Sequence, residues 1–324
     1  MSTLAHDAPR AAHPPRSRFG VGLVLALVAA VSFGMSGAVA RGLLEVGWSV
    51  GAVTGIRIGL GALVVLPFGL VALRGRWHLL RANAGMLMLY GALAVALAQF
   101  CYFSAVQHMQ VGPALLIEYT APAAVVVWMW LVHGQRPGRL TLAGAGVAAV
   151  GLVLVLDLVS GADLSIVGVL WALGAMVGCA SFFIIAADER RGIPPMTLAA
   201  GGLLFGAVLI GALGLVGLLP MHGVTTDPTY AGTTVPWWLP LLALGVLSAA
   251  VPYTSGVVAT RHLGSRLASF IALNEVVAGV LWAWLLLSEL PGAVQLVGGL
   301  LILAGVIGVK LGEPRVVTEE PTPA

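Results

Sequence analysis

The stretch that decides the fold is AVQHMQVGPALLIEYTAPAAVVVWMWLVHGQRPGRLTLAGAGVAAVG (105–151), because it returns as ATRHLGSRLASFIALNEVVAGVLWAWLLLSELPGAVQLVGGLLILAG (259–305). The two copies align without a gap at a spacing of 154 residues. Identical pairs include Ala105/Ala259, His108/His262, Ala114/Ala268, Pro137/Pro291, Gly138/Gly292, Leu142/Leu296, Gly144/Gly298 and Gly151/Gly305. Upstream, Gly22 and Ala26 match Gly168 and Ala172 more loosely. The chain is therefore predicted to contain two copies of one structural unit.

The composition is that of a membrane protein. Of the 324 residues, 59% are hydrophobic and only 9% are charged, whereas a soluble domain carries roughly a quarter charged residues. Lipid must therefore cover most of the surface. The 43 glycines fit this setting, since small residues let membrane helices approach closely. We expect no cofactor and no metal site, and the basic residues between the spans give no reason to expect nucleic acid.

Ten apolar stretches are long enough to cross a bilayer, which takes about 20 residues per helix. They are residues 19–40, 49–73, 84–106, 111–133, 140–158, 166–187, 196–219, 237–259, 266–287 and 294–311. Because the runs are continuous, helices are the structure that satisfies their backbone groups in lipid. The sequence thus predicts an all-α membrane protein with ten transmembrane helices. Its repeats would be 19–158 (spans 1–5) and 166–311 (spans 6–10), flanked by disordered cytoplasmic tails at 1–18 and 312–324.

The basic residues predict the orientation. With the N-terminus in the cytoplasm, all of the 16 Lys and Arg except Arg41 and Arg57 fall on the cytoplasmic side. The positive-inside rule therefore places both termini in the cytoplasm, and we expect a multi-pass protein of the bacterial cytoplasmic (plasma) membrane. Five spans per repeat force the second copy to be inverted. Inverted repeats are typical of transporters whose substrate site lies near the midplane.

Three ionisable residues fall inside predicted spans: Arg57, Glu118 and Glu275. Such residues cost several kcal/mol in a membrane and usually mark function. From the helical rise, Glu118 lies about 10 Å and Glu275 about 13 Å from opposite ends of their spans. The repeat aligns Glu275 with Ala121, one helical turn from Glu118. The two carboxylates should therefore face a common midplane cavity.

Further residues belong to this predicted cavity. Arg57 matches Glu118 in depth, which suggests an ion pair that either locks helices together or binds substrate. Glu275 has no basic partner in the sequence, and a carboxyl removed from water is easier to protonate, so proton coupling is one hypothesis for it. The remaining candidates for substrate binding or coupling are Gln99, Tyr102, Tyr119, Tyr253 and Asn274. Pro122 should kink span 4, either as a gating hinge or as a fixed bend.

Several strings resemble a known family, the EamA-type transporters of the drug/metabolite transporter superfamily. LIEYTAPAAVVVWMW (116–130), followed by a basic turn and LAGAGVAAVGLVLVL (142–156), resembles the end of the first EamA repeat. Residues 251–307 resemble the second, and the likeness extends over roughly 19–311. Glu118 with Pro122, Arg57 in GIRIGLGALVV (55–65), and PYT (252–254) look most like the threonine/homoserine exporter branch.

The chain departs from the family pattern at two places. Glu275 is followed by Val276 where the second repeat usually has Glu-Pro, and Gly134-Gln135 stands where the first usually ends in Gly-Glu. The second repeat keeps its acid in Ser288-Glu289. The resemblance implies export of small metabolites, often amino acids, through a cavity between the repeats.

A secondary transporter exporting an amino acid or related small metabolite is the leading hypothesis. The alternative is a drug/metabolite exporter for hydrophobic or cationic compounds, against which Arg57 argues mildly because it favours a substrate carboxylate. An intramembrane enzyme would need a nucleophile or metal set such as His-Glu-x-x-His, which the sequence lacks, so we predict no catalytic residue and no enzyme. The tails are short for a scaffold or sensor. A homodimer remains one alternative for the oligomeric state.

Overall fold

The computed structural model describes residues 16–121, 130–131, 134, 138–155, 165–186, 191–263 and 271–312. These residues are mostly helical. The helices before the second repeat are α1 (Arg16–Glu45), α2 (Val50–Leu73), α3 (His78–Ala82), α4 (Ala84–Leu89), the π-helix π1 (Tyr90–Leu97), α5 (Ala98–His108), α6 (Val111–Glu118) and α7 (Arg139–Val155). The later ones are α8 (Ile166–Ala186), α9 (Pro195–Leu215), α10 (Trp238–Leu242), the π-helix π2 (Ala243–Ala250), α11 (Val251–Leu263), α12 (Asn274–Leu287) and α13 (Ala293–Gly312).

Each of the ten predicted apolar stretches contains helix, with 111–133, 140–158, 166–187 and 266–287 described in part. Within the described ranges, five helices are long and apolar enough to cross a membrane, and four shorter helices are apolar as well. The prediction of an all-α membrane protein is therefore confirmed. The first helix starts earlier than predicted, at Arg16. Residues 1–15 and 313–324, which make up most of the predicted tails, lie outside the described residues.

The two copies share unusual backbone features at equivalent positions. The third span of each contains a π-helical segment, at Tyr90–Leu97 and at Ala243–Ala250, and the repeat spacing maps one onto the other within one residue. The turn after the fourth span has a left-handed backbone in both, with φ of 65° at Gly134 and 57° at Ser288. A π-helical segment is rare, and a left-handed backbone is uncommon for a residue other than glycine, such as Ser288. Their recurrence indicates that the sequence repeat is also a structural one.

The packing of the last helices shows that the copies are inverted. A methyl group placed on Gly144 of α7 would lie 2.6 Å from the carbonyl oxygen of Gly305 in α13, and one on Gly151 would lie 2.6 Å from that of Gly298. The later residue of α7 contacts the earlier residue of α13, so these equivalent helices run antiparallel. The repeat spacing maps Gly144 onto Gly298 and Gly151 onto Gly305. One contact is therefore converted into the other by exchanging the two repeats, and the crossing is symmetric. The second repeat is thus inverted relative to the first.

A second reciprocal contact obeys the same symmetry. Gly22 of α1 packs against His262 of α11, and Gly168 of α8 packs against His108 of α5, with a methyl group on the glycine lying 2.7 Å and 3.2 Å from the histidine Cβ. Each repeat therefore packs its first helix onto the third span of the other. The midplane residues of these helices consequently meet at the boundary between the repeats.

The long connection after α9 folds back over the helix ends. Its residues Thr229–Tyr230 and Thr233–Thr234 form a short antiparallel hairpin. The hydroxyl of Tyr230 donates to the carbonyl oxygen of Val39 in α1 (2.7 Å), and the amide of Ala231 donates to that of Leu286 in α12 (2.8 Å). The hairpin therefore ties α1 to α12 at the face where both helices end, which we call the outer face after the orientation predicted from the sequence.

Candidate functional site

Arg57 is a buried cation held by both repeats. Its side chain projects from α2, and the residue is only 3% exposed. Nη2 donates to the carbonyl oxygen of Ser248 at 2.9 Å, and the guanidinium carbon lies 5.1 Å from the ring centroid of Phe103. Ser248 belongs to π2 in the second repeat, whereas Arg57 and Phe103 belong to the first. The guanidinium thus bridges the two copies.

The predicted ion pair between Arg57 and Glu118 is wrong. In the described ranges, the ion pairs involve Arg41 with Glu45 and with Glu289, and neither Arg57 nor Glu118 takes part in one. Arg57 instead uses a backbone carbonyl and an aromatic face, which stabilise a buried cation without burying a second charge against it. Glu118 still lies within electrostatic range of Arg57.

A short hydrogen bond joins Tyr119 to Glu275. The Tyr119 hydroxyl donates to Glu275 Oε2 at 2.6 Å. Tyr119 directly follows α6 in the first repeat, and Glu275 is the second residue of α12 in the second. The bond therefore crosses the boundary between the repeats. Tyr119, a predicted candidate for substrate binding or coupling, thus points toward the other repeat's carboxylate.

The other candidates surround these two contacts. Glu118, Glu275, Tyr102 and Tyr253 all lie within electrostatic range of Arg57, and the Gln99 side chain lies beside the Tyr253 hydroxyl. Seven of the eight predicted substrate-site residues therefore form one group, which we call the midplane cluster. Its members are Arg57, Gln99, Tyr102, Glu118, Tyr119, Tyr253 and Glu275.

Two predicted residues are not part of this cluster as described. Asn274 is exposed, and its Nδ2 donates to the carbonyl oxygen of Ile271 at 2.8 Å. Its side chain thus satisfies the backbone at the start of its own helix instead of facing the other candidates. Pro122, the predicted hinge, lies outside the described residues.

Several buried polar atoms at and near the cluster have no hydrogen-bond partner within the part of the chain that is described. They are Arg57 Nε, Gln99 Oε1, Tyr102 Oη and Thr54 Oγ1. Leaving such an atom unsatisfied costs about 1–3 kcal/mol, so a ligand that supplies donors and acceptors would gain that energy on binding. Arg57 Nε is a donor and Gln99 Oε1 is an acceptor. The ligand chemistry that fits is polar and of mixed character.

Three residues at the site were not found from the sequence. Thr54 lies one helical turn before Arg57, and that spacing on one face of α2 was a usable signal. Phe103 had no such signal because an apolar ring in a membrane span usually faces lipid or core. The contribution of Ser248 comes from its backbone carbonyl, which its side chain does not reveal.

The charges at the site suit a zwitterion or a cation. A guanidinium binds carboxylates in a fixed geometry, and the carboxyl groups of Glu118 and Glu275 can accept an ammonium group or a proton. Within the described ranges, no three His, Cys, Asp or Glu side chains come together as metal ligands. The cluster therefore presents a guanidinium, two carboxyl groups and several hydroxyl groups at the boundary between the repeats.

Comparison with known proteins bears on both repeats. The sequence model of the EamA-like transporter family matches residues 20–157 and again 166–311. A threonine/homoserine exporter, RhtA, of Salmonella typhimurium is 28% identical over 308 residues, covering 92% of this chain and 93% of that protein. An uncharacterized transporter of Archaeoglobus fulgidus is 29% identical over 266 residues, with 81% and 87% covered.

More distant relatives extend the likeness. A pseudopaline exporter, CntI, of Pseudomonas aeruginosa is 25% identical over 233 residues, which is 71% of this chain and 76% of that protein. One solved crystal structure matches with a TM-score of 0.57 at 21% sequence identity, covering 91% of this chain and 97% of the other. That structural likeness concerns the fold alone.

Proposed function

The chain belongs to the EamA-like transporter family, and from that premise we propose that it is a secondary transporter exporting an amino acid or related small metabolite. Membership of the family makes it a membrane transporter. The relatives named as exporters of threonine/homoserine and of pseudopaline support export in general. The narrower substrate class rests on the chemistry of the midplane cluster.

The observation that carries the proposal is that a buried cation and two carboxyl groups lie near one another at the repeat boundary, with no ion pair between them in the part of the chain that the structure describes. Arg57 reaches from the first repeat to Ser248 in the second, and Tyr119 reaches from the first to Glu275 in the second. A substrate with a carboxylate and an ammonium group can bind Arg57 through one end and Glu118 or Glu275 through the other. Amino acids carry both groups on one small skeleton.

The proposal includes alternating access, which the same contacts support. Rocking of one inverted repeat against the other exposes a site between them to each face in turn. Both cross-repeat bonds lie at that site, so a substrate that replaces them changes what holds the repeats together. Proton binding by Glu275 would compete with the substrate ammonium group and so couple export to a proton gradient.

Transport by the purified protein in proteoliposomes tests the proposal. We expect export or exchange of radiolabelled threonine or homoserine that responds to an imposed pH gradient. Arg57→Gln should abolish transport of these substrates. Arg76→Gln is the matched control, because Arg76 lies just past the end of the same helix and is exposed. If a panel of amino acids is neither bound nor transported by the folded protein, the substrate class is wrong.

One observation favours the second candidate function, export of hydrophobic or cationic compounds. Within the described ranges, Glu118 has neither an ion pair nor a hydrogen bond, and a lone carboxylate attracts organic cations. In the same proteoliposomes, lipophilic cations should then be transported by the Arg57→Gln variant and lose transport in Glu118→Gln. If the protein exports amino acids, Arg57→Gln should instead abolish transport.

The membrane setting is part of the proposal. We place the chain in the bacterial cytoplasmic membrane with both termini in the cytoplasm, and we take 19–158 and 166–311 as the two functional repeats. The concentration of basic residues at one face supports this orientation. Reporter fusions that are active in only one compartment, joined to the C-terminus and after Val224, should give opposite signals.

A further inference from the structure

A network of charges links the two repeats at the outer face of the molecule. Arg41, near the end of α1, pairs with Glu45 at 3.0 Å and with Glu289 at 2.8 Å. Its Nη1 also donates to the carbonyl oxygen of Met109 at 2.9 Å. Glu45 lies one turn along the same helix, but Glu289 lies in the turn between α12 and α13. The pair Arg41–Glu289 therefore joins the first repeat to the second.

Glu289 is fully engaged by the opposite repeat. Its Oε1 contacts Arg41, and its Oε2 accepts a hydrogen bond of 3.2 Å from the amide of Val111, the first residue of α6. The amide end of a helix favours a negative charge. The Glu289 side chain is only 14% exposed, against 58% for Glu45. Arg41 and the Val111 amide are thus the groups that make burial of this carboxylate tolerable.

The network borders a cavity. This cavity of about 340 Å³ is lined by Arg41, Glu45, Ser288 and Glu289, together with Thr229 and Ala231 of the hairpin. The hairpin holds the ends of α1 and α12 together through Tyr230 and Ala231. The charge pair and the hairpin therefore fasten the same face.

The repeat symmetry does not reproduce this pair on the other face. Under the repeat spacing, Glu289 corresponds to Gln135, and under the spacing of the earlier halves, Arg41 corresponds to Ala187. Neither residue is charged. Two inverted halves with equal contacts at both faces would open to either side with equal ease. An ion pair that the equivalent positions of the other repeat cannot form biases that balance.

We propose that Arg41 and Glu289 form a charge lock that keeps the outer face closed in the absence of substrate. The lock draws on the alternating access proposed above, but it makes a statement about the substrate-free protein. Opening the outer face separates the turn after α5 from the turn after α12, and this movement breaks both contacts of Glu289. Without Arg41, a carboxylate is left buried without its cation, which drives the face open.

The test measures the opening directly. Spin labels are attached at Gln107, near the end of α5, and at Ala293, the first residue of α13, because both residues are exposed and lie next to the two turns. Double electron–electron resonance between the labels measures the width of the outer face. The full chain, with Cys101→Ala and Cys179→Ala, is placed in lipid nanodiscs without substrate. We expect Arg41→Gln to raise the ratio of long to short distances at least about tenfold.

Two further variants distinguish a lock from a general disturbance. Glu45→Gln is the matched control, because it removes a carboxylate from the same arginine within one helix, and it should leave the distances unchanged. Arg41→Gln/Glu289→Gln removes both charges, and it should return most of the population to the short distance. An unchanged distribution in Arg41→Gln, or a double variant as open as the single one, would overturn the lock. No substrate is needed, so the result is independent of which compound is exported.

Discussion

The hydroxyl of Tyr119 donates a hydrogen bond of 2.6 Å to Glu275 Oε2, across the boundary between the two inverted repeats. This contact is the shortest link between the halves at the midplane cluster that the described residues provide. Hydrogen bonds to charged groups contribute about 1.5–3 kcal/mol. A substrate or proton that takes over the carboxylate must compensate for this bond, so Tyr119 helps set the affinity of the site.

Tyr119→Phe removes that donor and keeps the ring. We expect the transport rate to fall about tenfold, because a loss near 1.4 kcal/mol at a step that needs Glu275 in position has this effect on a rate. Initial rates in proteoliposomes measure it. The decisive comparison is made in a Glu275→Gln background, where the same substitution should have little further effect. Equal losses in both backgrounds would mean that Tyr119 acts on something other than Glu275.

Tyr102→Phe should not lower the thermal stability of the substrate-free protein. The Tyr102 hydroxyl is buried, and within the described residues it has no hydrogen-bond partner. Its removal should leave the Tm of the substrate-free protein unchanged or higher, while weakening substrate binding if the hydroxyl contacts the ligand. Tyr230→Phe is the matched control, because that hydroxyl donates to Val39, and its loss should lower the stability by about 1 kcal/mol. A fall in the Tm of Tyr102→Phe as large as that of Tyr230→Phe would show that the Tyr102 hydroxyl does form a stabilising hydrogen bond in the substrate-free protein.

The sequence predicted the architecture because the repeat depends on many residues at once. An odd number of spans in each copy required inversion, and the antiparallel crossing of Gly144 and Gly151 with Gly305 and Gly298 confirms it. Depth along a helix follows from the rise per residue, which is why Glu118 and Glu275 were placed at a common level. Properties that many side chains or the helix geometry determine were therefore within reach of the sequence.

The contacts within the site were not predictable to the same degree. The partner of Arg57 is the carbonyl oxygen of Ser248, and a backbone atom is not marked by the side chain that bears it. Tyr119 lies at the end of α6, where its amide still bonds to the carbonyl oxygen of Leu115 as in a regular helix. Its hydroxyl reaches Glu275 of the other repeat, and spacing along one helix does not tell which helix of the other repeat lies opposite. The partner of Tyr119 is therefore known only from the packing of the two repeats.

Gly305→Ala should loosen the crossing of α7 and α13. A methyl group at Gly305 would lie 2.5 Å from both the amide nitrogen of Ala148 and the carbonyl oxygen of Gly144, so the helices must move apart. We expect a destabilisation of about 1–3 kcal/mol, read as a lower Tm in detergent. Gly146→Ala is the matched control on α7, since a methyl group there has nothing within 4 Å. The prediction fails if the two variants melt together.

The last prediction concerns pH at the outer face. Burial raises the pKa of Glu289, and Arg41 and the Val111 amide offset part of that rise, while the charge of Glu45 on α1 adds to it. When the face opens, Glu289 enters water and its pKa returns toward the ordinary value of about 4.3. The closed face therefore binds the proton more tightly than the open one, and closure is favoured at low pH and weakened as the pH rises.

This dependence should be strongest in Arg41→Gln, in which the cation that offsets the rise is gone. In the spin-label measurement, the open fraction of this variant should increase from about pH 5 to about pH 8, and acidification should close the face again. The variant that also carries Glu289→Gln has no group left at position 289 to titrate, and its open fraction should stay constant over the same range. An open fraction of Arg41→Gln that falls as the pH rises would show that a group other than Glu289 governs the outer face.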